Sequence, residues 1–172
     1  MKELSYLHQI FHSAALTAPS DHESQGVREG VGVHVLASVD HLREALWSIK
    51  SFYHYAGVDY PLTFHCQGPF ADNELAALTG HLPTARIVTE EEADKIVERE
   101  LEGRSLSRLL TKRKEEFLFR KLIDFSLLGE TKQILSFDSD VLFFQRPDEL
   151  IAPQQDPYAS AIFQRDCYRS YS

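Results

Sequence analysis

From Val31 onward, stretches that suit a β-strand alternate with stretches that suit a helix, and this alternation leaves few architectures open. Val31 to Ala37 (VGVHVLA) is apolar and β-rich. Asp40 then stands as a candidate N-cap for a helix whose apolar residues, Leu42, Ala45, Leu46, Ile49, Phe52 and Ala56, keep helical spacing until Gly57. Pro61 to Cys66 (PLTFHC) suits a second strand, Asp72 to Leu78 a short helix, and Ala85 to Val88 (ARIV) a third strand. Thr89 and Glu92 have the spacing of a capping box, which predicts a charged helix reaching about Leu101. One long helix is expected over Thr111 to Leu128, stopped by Gly129, with a strand after it. Strands and helices in this order predict an α/β fold, a mainly parallel Rossmann-like sheet flanked by helices.

Upstream, Glu3 to Leu16 has apolar residues at three- and four-residue steps and predicts an amphipathic helix within residues 1–18. It could dock on the domain, lie on a partner, or make peripheral contact with a membrane surface. Residues 19–30 are polar and glycine-bearing, as in a linker, so the domain is expected to span 31–172. No stretch approaches the roughly 18 apolar residues of a membrane span. With 26 acidic against 18 basic residues the net charge is −8, a poor match to nucleic acid. Cys66 and Cys167 have no metal-site spacing, and His8 and His12 have no third ligand nearby. A reducing cytoplasm is the compartment these cysteines fit best.

The chemistry concentrates in Lys132 to Phe144, KQILSFDSDVLFF. Ile134, Leu135 and Phe137 form a short buried strand, which delivers Asp138 and Asp140 to its carboxyl end. Ligands of open α/β sheets bind outside the carboxyl ends of strands. An Asp-x-Asp there can hold Mn²⁺ or Mg²⁺ against a diphosphate, because both cations take oxygen ligands. On the preceding helix Asp124 lies four and three residues after Arg120 and Lys121 and can share a face with either, and an ion pair of Asp124 with one of them is the plain structural reading.

FDSDVLFF, with its LFFxRPDEL continuation, resembles the Asp-x-Asp element of GT-A fold glycosyltransferases of the glycogenin and family-eight type. The resemblance covers roughly Val31 to Asp166. It implies transfer of a sugar, hexosyltransferase-like, from a nucleoside-diphosphate sugar to an acceptor the residues do not identify. It implies further that the loop Ala37, Ser38, Val39, Asp40 receives the base and ribose, and that Lys121 approaches the donor sugar and diphosphate. Asp138 would contact ribose or metal, and Asp140 would ligate the metal more directly. Lys121 and Asp124 are the candidate catalytic residues, and the Lys50-Ser51 pair is similar to one found in several of these enzymes. The second half of such a fold supplies the acceptor pocket and often a late His, yet no His follows His81. The expectation is therefore a chain incomplete at its C-terminus that binds a donor without transferring it, with Phe143, Phe144, Ile162 and Phe163 left exposed. A nucleotide-sugar-binding module without catalysis stays open, as does a haloacid-dehalogenase-type phosphatase, whose nucleophile also lies in an Asp-x-Asp after an apolar strand.

Overall fold

The computed structural model describes residues 28–102 and 106–151. The expected N-terminal helix, most of the linker and a strand expected over Tyr158 to Phe163 lie outside these residues. Four strands, β1 (Arg28–Ser38), β2 (Leu62–Gln67), β3 (Arg86–Val88) and β4 (Thr131–Ser136), form one sheet. Between and after them come α1 (Leu42–Ala56), α2 (Asp72–His81), α3 (Glu90–Glu102), α4 (Ser107–Glu115), α5 (Phe117–Leu128) and α6 (Asp148–Ile151). All strand pairs are parallel and the order is β3-β2-β1-β4. The chain thus steps outward from β1 to β3, then returns through α3, α4 and α5 to place β4 on the other side of β1. This is the α/β, Rossmann-like sheet that the alternation predicts.

Helices cover both faces over β1 and β2, which is why these two strands read as nearly continuous apolar runs. At β4 one face stays open, with Lys132, Ile134 and Ser136 exposed, so Ile134 is not buried as expected. Val31, Val33, Val35 and Ala37 of β1 share one face with Leu62, Phe64 and Cys66 of β2 and Leu135 of β4. Ala45, Leu46, Ile49 and Phe52 of α1 and Leu78 of α2 pack on that face. On the other face Val88 meets Ala93 of α3 and Leu128 of α5, while Val97 and Leu101 meet Ile123. Buried here too are His34 of β1 and His65 of β2, with His34 Nδ1 2.9 Å from His65 Nε2 and both rings against Phe125 of α5. Burial pushes the His34 pKa down to about 4, with the Arg86 charge adding to the effect. For His65, burial followed by the charges of His34 and Arg86 brings it to about 3.

Several boundaries differ from the expected ones for identifiable reasons. β1 starts at Arg28, inside the expected linker, because its pairing with β4 continues past a register shift between Arg28 and Val31. Gly30 lies in that irregular stretch with φ 116°, a conformation open mainly to glycine. Asp40 is not the N-cap of α1. It lies inside a 3₁₀ turn, Val39–His41, and α1 begins at Leu42 without a side-chain cap, its first N–H bonded instead to the Val39 carbonyl. Gly57 does close α1 as expected, left-handed at φ 63° with its N–H donating to Tyr53 O. The capping box forms by half: the Glu92 N–H donates to Thr89 Oγ1 at 3.2 Å, while the Glu92 carboxylate turns 3.5 Å from Arg86.

The largest departure is the long helix, which is two helices broken at Glu116 in extended conformation (φ −127°, ψ 119°). Arg113, near the end of α4, is fully buried and binds Asp124 of α5 bidentately, Nε–Oδ1 at 2.5 Å and Nη2–Oδ2 at 2.8 Å. Its remaining nitrogen reaches Asp94 of α3 at 2.5 Å. In one continuous helix these residues would stand roughly 16 Å apart along the axis, so the fold-back is what lets them meet. Burial works against the Arg113 charge, and the bonds from Asp124 and Asp94 outweigh it, so its pKa moves up.

Candidate functional site

β1 and β4 are neighbours in space although three helix-bearing connections separate them in the chain. At such a reversal of strand order the carboxyl ends of the two strands border a crevice, the usual ligand site of an open α/β sheet. On the β4 side, Phe137 is buried and the next residue, Asp138, emerges with its side chain 67% exposed. The chain then turns, the Val141 N–H donating to Asp138 O at 3.2 Å, and Asp140 is exposed within this turn.

Helix α1 holds the turn from beneath. Ser48 Oγ donates to Asp138 O at 3.3 Å, and the Phe143 N–H donates to Ser51 Oγ at 3.2 Å. Ser51 Oγ in turn donates to Ser48 O at 2.9 Å, so one pair of buried hydroxyls fastens both ends of the segment carrying the two aspartates. Phe137 and Phe143 add apolar anchorage on Phe52, with ring centroids 4.9 and 5.3 Å away. Phe143 is therefore a core residue, contrary to the exposure expected of it, whereas Phe144 is exposed. The Lys50-Ser51 pair has the same structural character. Ser51 supports the turn, and Lys50 is buried 3.4 Å from His81 Nδ1, its pKa lowered by burial.

A helix that feeds a parallel strand runs antiparallel to it, so the first turns of α5 lie at the carboxyl edge of the sheet. This brings Lys121 to Asp138, where its Nζ donates to Oδ1 in an ion pair. The ammonium also lies over the Phe117 ring, 5.2 Å from its centroid. Among the candidate residues, these two are joined directly, and Asp140 shares the turn of Asp138. Ser38 ends β1, the strand beside β4, and Asp40 follows it, exposed, in the 3₁₀ turn. Ala37 is in the apolar core, so its methyl group faces α1 and only its main chain could meet a ligand.

Asp124 is not brought to this group. Both its oxygens are engaged by Arg113 and it is buried, so the partner expected among Arg120 and Lys121 is Arg113 instead. Arg120 pairs with Glu90 at the start of α3. Sequence spacing could not reveal Arg113, which approaches Asp124 only after the chain folds back at Glu116. Ser48 was also missed, although two serines three residues apart on the apolar face of α1 are a legible anomaly. A buried hydroxyl on such a face needs a partner, and here each has one in or beside the aspartate turn.

No family model matches the chain, and neither curated proteins nor solved structures provide a match. No helix among the described residues is long and apolar enough to cross a membrane.

Among the described residues no group of three or more His, Cys, Asp or Glu side chains converges to hold a metal ion. Asp138 and Asp140 nonetheless fit one mode of cation binding. Mg²⁺ and its relatives commonly take one or two protein carboxylates and complete their shell with substrate phosphates and water. The donors are oxygens, exposed and in a turn fixed at both ends, and the adjacent ammonium suits a polyanionic ligand.

Proposed function

We propose that the crevice at the carboxyl ends of β1 and β4 binds a nucleoside-diphosphate sugar and that the protein serves transfer of that sugar to an acceptor. The observation that supports this reading best is the meeting of Lys121 with Asp138 at the strand-order reversal, with Asp140 two residues on in the same turn. Asp138 and Asp140 would hold Mn²⁺ or Mg²⁺, which would supply positive charge to the leaving diphosphate. The chain's own residues bind and orient. Ser48 and Ser51 fix the aspartate turn, Lys121 offers a compact charge to the phosphates, and the main chain from Ala37 to Asp40 borders the nucleoside side. Asp124 has a supporting task in this reading, since it holds α5, and with it Lys121, against α4 through Arg113.

Calorimetry with a panel of UDP-, GDP-, ADP- and CDP-sugars tests the proposal. Nucleoside-diphosphate binding should require Mn²⁺ or Mg²⁺, and Asp140→Ala should abolish the metal dependence while leaving thermal unfolding unchanged. Equal affinity with and without chelator in the unmodified protein would sink the metal assignment. Acceptor-independent release of inorganic phosphate from phosphate esters would favour a phosphatase instead.

A further inference from the structure

We propose that His34 and His65 form an acid-sensitive latch on α5: the rings take up a proton only by parting from Phe125, so acid releases the helix and separates Lys121 from Asp138. The latch is independent of what the crevice binds. Three observations carry it. Both rings are buried under α5, with Phe125 5.2 and 4.7 Å from them between centroids. The chain leaving α5 also passes close over His34, since a Cβ at Gly129 would lie 3.6 Å from His34 Cε1. Second, His34 Nδ1 and His65 Nε2 are 2.9 Å apart, a contact with room for one hydrogen. Third, Nδ1 of His65 is buried and has no hydrogen-bond partner among the described residues.

Counting protons shows why the closed pair refuses one. Two neutral imidazoles carry two ring hydrogens. One lies in the contact between the rings, and the arrangement that leaves no N–H unmet at His65 puts the other on Nε2 of His34. A third hydrogen cannot join the inner contact, where two N–H groups would face each other, so it must stand on Nδ1 of His65. Nothing accepts it there, and the site would hold both a buried charge and a buried unmet donor. The surroundings bring no relief. Arg86 of β3 acts on both rings and disfavours their charged forms. Its guanidinium bonds Leu128 O at 3.0 Å and Glu130 at 2.8 Å and lies 3.5 Å from Glu92 of α3. On the helices Asp94 and Asp124 are engaged by Arg113 and Glu90 by Arg120, while Lys121 takes Asp138, so each of these carboxylates already has a cation. A ring in water meets none of these costs. Because His34 and His65 belong to the two inner strands of the sheet, the helix above them is the element that can move.

Amide hydrogen exchange of the full chain at pH 7, 6 and 5, corrected for the intrinsic pH dependence of exchange, reads the latch. A helix of 12 residues without its packing is marginal, so release appears as lost protection in α5. Closed rings titrate near 4 and 3 and released ones at 6.5, so each ring set free should lower α5 protection about twentyfold between pH 7 and pH 5. Helix α1 packs on the other face of the sheet and should stay more protected than α5 at each pH. His65→Leu removes one titrating ring and should make the loss in α5 about twentyfold smaller. If that variant does not fold, His65→Gln, which also takes up no proton, replaces it. His54→Gln, an exposed histidine of α1, should leave the loss unchanged. Protection of α5 that is equal at pH 7 and pH 5, or that falls as far after loss of the His65 ring, overturns the latch. So does α5 protection that falls only in step with α1, since that is unfolding of the whole domain.

Discussion

His34 and His65 share a dry site between β1, β2 and Phe125, and their pKa values near 4 and 3 lie well below the ordinary 6.5 of an exposed imidazole. Below pH 6.5 the unfolded rings take up protons that the folded ones refuse. The stability contributed by the neutral pair is therefore complete above pH 6.5 and declines as the pH falls toward 4 and then 3. Each ring contributes a slope of at most about 1.4 kcal/mol per pH unit. Urea unfolding at pH 7.5, 6.5 and 5.5 should show a falling midpoint, and His65→Leu should flatten the fall. A midpoint independent of pH over this range would mean that the two rings are not buried as a neutral pair. Residues at this scale were unequally legible from sequence. Asp138 and Asp140 could be found because one strand end and a two-residue spacing define them. The histidine pair could not, because it depends on the register that sets Leu36 beside His65, and register is a property of two strands.

Among the elements, α4 and α5 show why helix prediction failed where it did. Periodicity reports which residues are apolar on a face, and the apolar residues of α5 continue the pattern without a glycine or proline to mark a stop. The break at Glu116 is a tertiary decision, taken by Arg113 folding back on Asp124. The strands, by contrast, lie within about three residues of their expected bounds: β1 and β2 are short apolar runs between turn-forming residues, and β4 is marked by Ile134 and Leu135 after Gly129. Asp124→Ala should destabilise the protein by about 3–5 kcal/mol, since it leaves the guanidinium of Arg113 buried with half its partners removed. Asp94→Ala should have a smaller effect, because the Asp94 side chain is 38% exposed and water can replace it. Chemical unfolding of the two variants decides the matter. If Asp124→Ala is no worse than Asp94→Ala, packing of α5 on α3 through Ile123 holds the helices together and the ion pair is incidental.

At the scale of the molecule, apolar exposure among the described residues is concentrated near β4 and α5. Leu118 and Leu122 project from α5 at 72% and 65% exposure, and Ile134, Val141, Leu142 and Phe144 are exposed along β4 and the segment after it. β4 is also the last strand in the order, bonded to β1 alone among the described residues. An apolar helix face beside a strand edge that is unpaired among the described residues favours association of copies. Sedimentation velocity should find the protein self-associated at micromolar concentration, and Leu118→Lys with Leu122→Lys should shift it toward monomer. A monomer before and after the substitutions would show that the exposed leucines have no such consequence. The strand order carries one further implication, in time. β1 is the central strand, yet its two partners leave the ribosome at very different moments: β2 soon after it, β4 only after α3, α4 and α5. At about 5–20 residues per second, roughly 5–20 s separate β1 from β4 during synthesis. Throughout that interval one side of β1 lacks its strand, and Lys121 has been made before the aspartate it will meet. The nascent chain can thus bury most of its first core early, but the crevice is closed last, by the strand that also brings its chemistry.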